Sequence, residues 1–202
     1  AVAVIAPAND ERPYHENFEF YGRRLTELGQ ALEPHGIQLA VGFDASEAAR
    51  HGKTYEFVRD FDALLVLLST VGAENVGLWL DLWQIWASGA SVENALLKLD
   101  QLSVVAVSLS DADEAQPDPR HPDSHRLPGE HGVIDSVAVL SRLAELRYEG
   151  PVTPIPGSNL SGLRREQIVK LAGEKLDSVW KAAGITSNTK APARMAAAAG
   201  GV

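Results

Sequence analysis

Four short apolar runs approach their carboxyl ends at Gly42, Asp81, Ala106 and Ile155, and of those four residues only Asp81 can bind a metal or move a proton. The runs are residues 37–43 (IQLAVGF), 76–81 (VGLWLD), 103–107 (SVVAV) and 151–156 (PVTPIP). Their nearly continuous apolar character is that of strands covered on both faces, as in a parallel sheet. In parallel α/β proteins the side chains at the carboxyl ends of the strands face the active site. Asp81 therefore stands where chemistry is expected, and its three counterparts carry no ligand atom. Trp79, Trp83 and Trp86 cluster around it in sequence. Flat aromatic faces suit sugar stacking, although such residues more often fill a core or a subunit contact. Asp81 also has a purely structural reading, as an acceptor for backbone N–H groups at the turn over residues 83–87.

A second group of polar side chains lies in residues 110–133, where Asp111, Asp113, His121, His125 and His131 fall among prolines. With Asp44, these offer donors from which a site of Asp81, Asp44, Asp111 and His125 could be rebuilt. The plainer reading is a solvated surface loop, because Pro119, Pro122 and Pro128 interrupt regular structure. Asp135 precedes a helical pattern and reads as its N-cap.

The elements that must position these groups alternate. Residues 1–6 (AVAVIA) read as a buried strand, and a polar loop leads to a helix over 16–35. Phe18, Tyr21, Leu25, Leu28 and Leu32 recur in that helix at three- and four-residue steps, and Gly36 fits its C-terminal cap. Strand 37–43 is followed by a helix over 54–71, with Thr54 as N-cap and Gly72 at its end. Strand 76–81 runs into a short aromatic segment, and Ser91 caps a helix over 92–100. Strand 102–109 opens onto the longest loop; a helix over 136–146, a strand over 150–156 and a helix over 163–183 complete the pattern. Five β units alternating with helices predict an α/β fold, a parallel sheet with helices packed outside it. Residues 185–202 form a low-complexity tail, expected to be disordered, and no function is assigned to it.

Composition narrows the function classes. A chain of 202 residues is long enough for one domain with a full core. A net charge of −9 without any basic stripe excludes a nucleic-acid surface. The absence of cysteine excludes disulfides, thiolate chemistry and Cys-ligated zinc, and fits a reducing, cytoplasmic setting. No run approaches the roughly 18 apolar residues of a membrane span, so no membrane role is expected. The single methionine is Met195, so residues are expected before Ala1.

Three blocks carry a family resemblance: GLWLDLWQIWASG, RLPGEHGVID and AELRYEGPVTPIP. They resemble the last half of sugar phosphate isomerase/epimerases with the xylose-isomerase-like TIM barrel, and ENFEFYGRRLTELGQALEPHGIQLAVGF resembles that family's middle section. The likeness implies a parallel (β/α) TIM-barrel fold over residues 1–184, incomplete, with five βα units matching strands 4–8 of the barrel. A full barrel of this kind takes about 250 residues. The family holds a divalent metal (Mn, Mg or Zn) with Glu, Asp, His and Glu on its last four strands. The resemblance maps those ligands to Gly42 (LAVGF for L-x-L-E-F), Asp81, Ala106 (VAVSL for V-H-V-N-D) and Ile155 (TPIP for T-P-E-P). A further family His near the substrate is Gln84 here, and Trp83 lies beside it. Arg126, ahead of PGE, implies a contact to a substrate oxyanion or phosphate, set against a salt bridge to Glu130 or Asp123 that orders the loop.

Two functions follow from this pattern. The first is a degenerate isomerase/epimerase-like protein that binds a sugar or a protein partner, is non-catalytic, and has no cofactor. The second is an active isomerase, epimerase or related lyase on a sugar-like substrate, using a site around Asp81, Gln84 and Arg126, with a divalent metal only in this case. Strand edges left open by an incomplete barrel invite a partner chain or self-association.

Overall fold

The computed structural model describes residues 1–99, 103–115 and 120–185. Its strands are β1 (Val2–Ile5), β2 (Ala8–Asn9), β3 (Leu39–Phe43), β4 (Tyr55–Glu56), β5 (Val76–Asp81), β6 (Val104–Leu109), β7 (Asp111–Ala112), β8 (His125–Arg126) and β9 (Val152–Pro154). The helices are α1 (Tyr14–Leu32), α2 (Phe61–Leu68), α3 (Leu82–Ala87), α4 (Val92–Leu97), α5 (Ser136–Glu145) and α6 (Arg165–Ala182). A five-stranded sheet in the order β1-β3-β5-β6-β9 is parallel throughout. It follows chain order, as successive right-handed βα units require. β1 and β9 are its edges, and the barrel is not closed among the described residues. Two short antiparallel ribbons strap loops at the carboxyl end, β2 to β4 and β7 to β8.

The sheet's two faces differ sharply. Leu78 and Leu80 of β5 are fully buried, in a core shared with Leu64 and Leu67 of α2 and Val139 and Leu143 of α5. Alternation along a strand puts Trp79 and Asp81 on the opposite face, and both are half-buried. The buried strand expected over 1–6 is corrected: on β1, Val2 and Val4 are 57% and 52% exposed, so nothing described covers the face they occupy. Near the amino ends β5 and β6 approach closely: a Cβ on Gly77 would lie 2.4 Å from the Ser103 carbonyl oxygen, so only glycine fits.

Local chemistry sets the helix ends. Gly36 adopts φ +64° after α1 and its 3-10 extension (Glu33–His35). Asp135 accepts from the Ala138 N–H at the start of α5, and Ser91 from Asn94 at α4. The helix expected over 54–71 is corrected. Tyr55 and Glu56 form β4, and α2 begins only at Phe61, because Asp60 accepts from Ala63 N–H at 2.9 Å. Thr54 instead donates its backbone N–H and hydroxyl to Asp10. The ends of the helix and strand expected at 100 and 102, and tail residues 186–202, lie outside the described residues.

Candidate active site at the strand ends

Asp81 closes β5 and is the N-cap of α3, its Oδ1 accepting from Gln84 N–H at 3.2 Å. Burial pushes its carboxyl up to about 6, against the downward pull of the Gln84 and Trp83 backbone N–H groups. The cap and the chemical candidate are one carboxylate. A carboxyl titrating near neutrality at a strand end is the property an acid/base group needs.

The register corrects one expected position. A shift between Leu78 and Trp79 sets Trp79 opposite Ala106 and Asp81 opposite Ser108. Ser108, not Ala106, is therefore level with Asp81 on β6, whose end at Leu109 is the one expected for the strand over 102–109. The Ser108 hydroxyl is buried and accepts the Trp79 indole N–H at 2.8 Å. The same indole lies against Gly42: a Cβ there would approach Trp79 Cε3 to 2.8 Å. Trp79 thus packs over one of the mapped ligand positions and is tied to its neighbour at another. Gly42→Ala is expected to cost about 1–3 kcal/mol through overpacking, measured by urea unfolding. Most of that cost should vanish in a Trp79→Leu background; equal costs in both backgrounds would show that the indole is not the obstacle.

The remaining candidates have mostly structural partners. Gln84 lies one turn beyond Asp81; its Oε1 accepts from Ala45 N–H at 2.8 Å, fixing the loop after β3. Trp83 is fully buried, donates to Ser124 Oγ and stacks on His125 with centroids 4.0 Å apart. It is a wall of the core, which leaves no open face for a sugar. Arg126 is buried and pairs with Asp113 at 2.7 Å, donating also to the carbonyls of Asp123 and His125. Its partner carboxylate is Asp113, where Glu130 or Asp123 was expected. Ile155 presents hydrocarbon, and its N–H donates to the Leu109 carbonyl.

The site of Asp81, Asp44, Asp111 and His125 is not assembled. Asp44 accepts from Ser46 N–H in its own turn. Asp111 is fully buried and accepts from four backbone N–H groups, those of Ala112 and Ile134 on Oδ1 and of His131 and Gly132 on Oδ2. It fastens the HGVI segment to the end of β6. His125 holds the Pro122 carbonyl, and burial pushes its pKa below the usual imidazole range while that bond pulls it back.

A parallel sheet that follows chain order with helices outside it is the architecture of a TIM-barrel-type fold. The family described as "Xylose isomerase-like TIM barrel" matches residues 1–172, and the chain belongs to it. Among curated relatives, the inosose isomerase of Halalkalibacterium halodurans is 29% identical over 132 residues, covering 64% of this chain and 43% of that protein. The inosose isomerase of Bacillus velezensis is 27% identical over 156 residues, covering 77% and 52%. The chain thus spans about half the length of the curated relatives it matches. Among solved structures, the IOLI protein with a bound zinc atom superposes with a TM-score of 0.72 at 26% identity, over 89% of this chain and 62% of that one. A xylose isomerase domain protein from Alicyclobacillus acidocaldarius gives 0.67 at 25%, over 91% and 64%. The curated relatives named here are isomerases.

A divalent metal is implied by the family, and the residues at these strand ends do not fit one. Gly42, Ser108 and Ile155 bring no carboxylate or imidazole, and an indole packs where a side chain from position 42 would pass. No group of three or more His, Asp or Glu able to hold a metal occurs among the described residues. No chemical step is therefore routed through a metal. Among the described residues, no helix is long and apolar enough to cross a membrane.

Proposed function

We propose that the protein isomerises or epimerises a carbohydrate-like hydroxy-carbonyl compound, with Asp81 carrying the proton beside the carbonyl. The observation behind this reading is Asp81 itself, a half-buried carboxyl at a strand end, pushed up to about 6. At neutral pH it is largely ionised and acts as a base, and its pKa keeps the return of the proton easy. The carboxylate takes the proton from the hydroxyl-bearing carbon and leaves an enediolate. For isomerisation the hydroxyl proton passes to the former carbonyl oxygen and Asp81 returns its proton to the neighbouring carbon; for epimerisation the carbon is reprotonated on its other face by solvent. Gln84 supports Asp81 from the next turn; its amide nitrogen is the donor nearest in sequence for a substrate oxygen. The relatives' name, inosose isomerase, supports a polyhydroxylated carbonyl substrate.

The test is incubation with an inosose in deuterium oxide, followed by proton NMR. The protein should promote deuterium uptake beside the carbonyl, and Asp81→Asn should lose at least about a hundredfold of that rate. Equal rates in the two proteins would sink the assignment.

A ligand-binding, non-catalytic role is the second reading, favoured by the missing donors at Gly42, Ser108 and Ile155. It expects ligand binding with no exchange above solvent background. In either case the free edges of β1 and β9 are where a further strand or chain would pair.

A further inference from the structure

Beside the strand ends, a cleft of about 430 Å³ lies between the loop after β3, the end of α3 and residues 120–122. Arg50, Arg59, Arg120 and His121 line it, with the hydroxyl residues Ser46 and Ser88. Ala45, just past the end of β3, and Ala87, the last residue of α3, also line it and put it at the carboxyl end of the sheet. Two carboxylates share the lining, Glu47 and Asp60. Asp60 is engaged as the cap of α2, which leaves Glu47 as the other carboxylate of the lining beside three arginines. Glu56 lies only 3.7 Å from Arg50 and 3.4 Å from Arg59, from an exposed position. Such pairs contribute little and yield easily to a better acceptor. Arg50 Nε is buried with no hydrogen-bond partner among the described residues. A buried donor without an acceptor is costly. The Arg50 side chain is 23% exposed and lines the cleft, and an ion rich in acceptor oxygens engages its terminal N–H groups with charge-assisted bonds.

We propose that this cleft binds a small oxyanion of the phosphate type, free or as the end of a polyol ligand, with Arg50 as its central donor and Arg59 and Arg120 at its sides. A planar guanidinium fork suits such an ion better than a point charge does. The proposal does not depend on proton transfer at Asp81, and its test reads binding alone.

Inorganic phosphate is titrated calorimetrically into the full chain at constant ionic strength, with sodium chloride as control. Saturable binding is expected, weakened at least about tenfold in Arg50→Gln and measurably in Arg59→Gln. The second position is exposed, so its variant keeps the fold even if the first does not. Glucose 6-phosphate and glucose complete the series. Tighter binding of glucose 6-phosphate than of phosphate assigns the anion to a ligand's end; equal binding assigns the free ion; both uphold the site. No phosphate binding beyond the chloride control, or binding unchanged in both variants, overturns it. Phosphate binding in a protein that fails the deuterium-exchange test leaves this site standing and removes only the isomerase reading.

Discussion

Asp111→Ala lowers the stability of the protein by about 4 kcal/mol, the largest effect expected of any single substitution considered for this chain. The wild-type carboxylate receives four backbone N–H groups at 2.5–2.9 Å from a position with no exposure. Alanine leaves all four without an acceptor. Those of His131 and Gly132 belong to an exposed stretch and recover water. Ala112 and Ile134 are buried, and each orphaned buried donor costs about 1–3 kcal/mol. The loop that follows β6 then loses its attachment to the sheet. Urea unfolding gives the energy, and limited proteolysis should show new cleavage near residues 128–134. A loss below about 1 kcal/mol would mean the loop is held by other contacts, chiefly the Arg126–Asp113 pair.

Asp81→Asn is expected to act in the opposite direction, and only above a certain pH. In the folded protein the carboxyl titrates at about 6, and in the unfolded chain near its ordinary value of 3.8. Because the folded value is the higher one, the folded state binds the proton more tightly. Stability from this group is therefore present in acid and lost as pH rises from 3.8 through 6. Above that range the folded protein carries a buried charge it would be more stable without, at a cost of at most about 3 kcal/mol. Asparagine is as good an N-cap as aspartate and is neutral at every pH. The variant should match the wild type near pH 3.5 and exceed it by up to about 3 kcal/mol at pH 7.5. Paired urea titrations across that range provide the measurement, and a difference that does not vary with pH would refute the burial of charge. Taken with the expected loss of deuterium exchange, a gain in stability here marks a carboxylate retained for chemistry at the expense of the fold.

Much of this architecture is legible in the sequence because its signals are local and redundant. Near-continuous apolar runs mark β3, β5 and β6, and short polar side chains at Ser91 and Asp135 mark the helix starts that the structure places there. Thr54 misled for a physical reason. It is chemically a good cap, but its groups bind Asp10, 44 residues away, and a distant partner is invisible to a local pattern. The strand-end chemistry was half legible. Asp81 stands where the pattern places it, yet the β6 residue level with it is Ser108, and that level is set by the pairing of two strands and by neither alone. Trp83 and Arg126 show the same limit: an aromatic and a guanidinium suit ligands, and only their partners, Ser124, His125 and Asp113, show them holding the fold together.

The contact between Gly42 and the Trp79 indole has a consequence for how this site can change over generations. A carboxylate at position 42 is opposed by the ring, because its Cβ meets the indole at 2.8 Å and the ring must shift to admit it. A smaller residue at position 79 clears the way, and that step removes the indole that Ser108 holds. The three positions are thus epistatic, and the order of substitution decides which intermediates fold. In descendants of this chain a change at Gly42, Trp79 or Ser108 therefore alters what the other two positions tolerate.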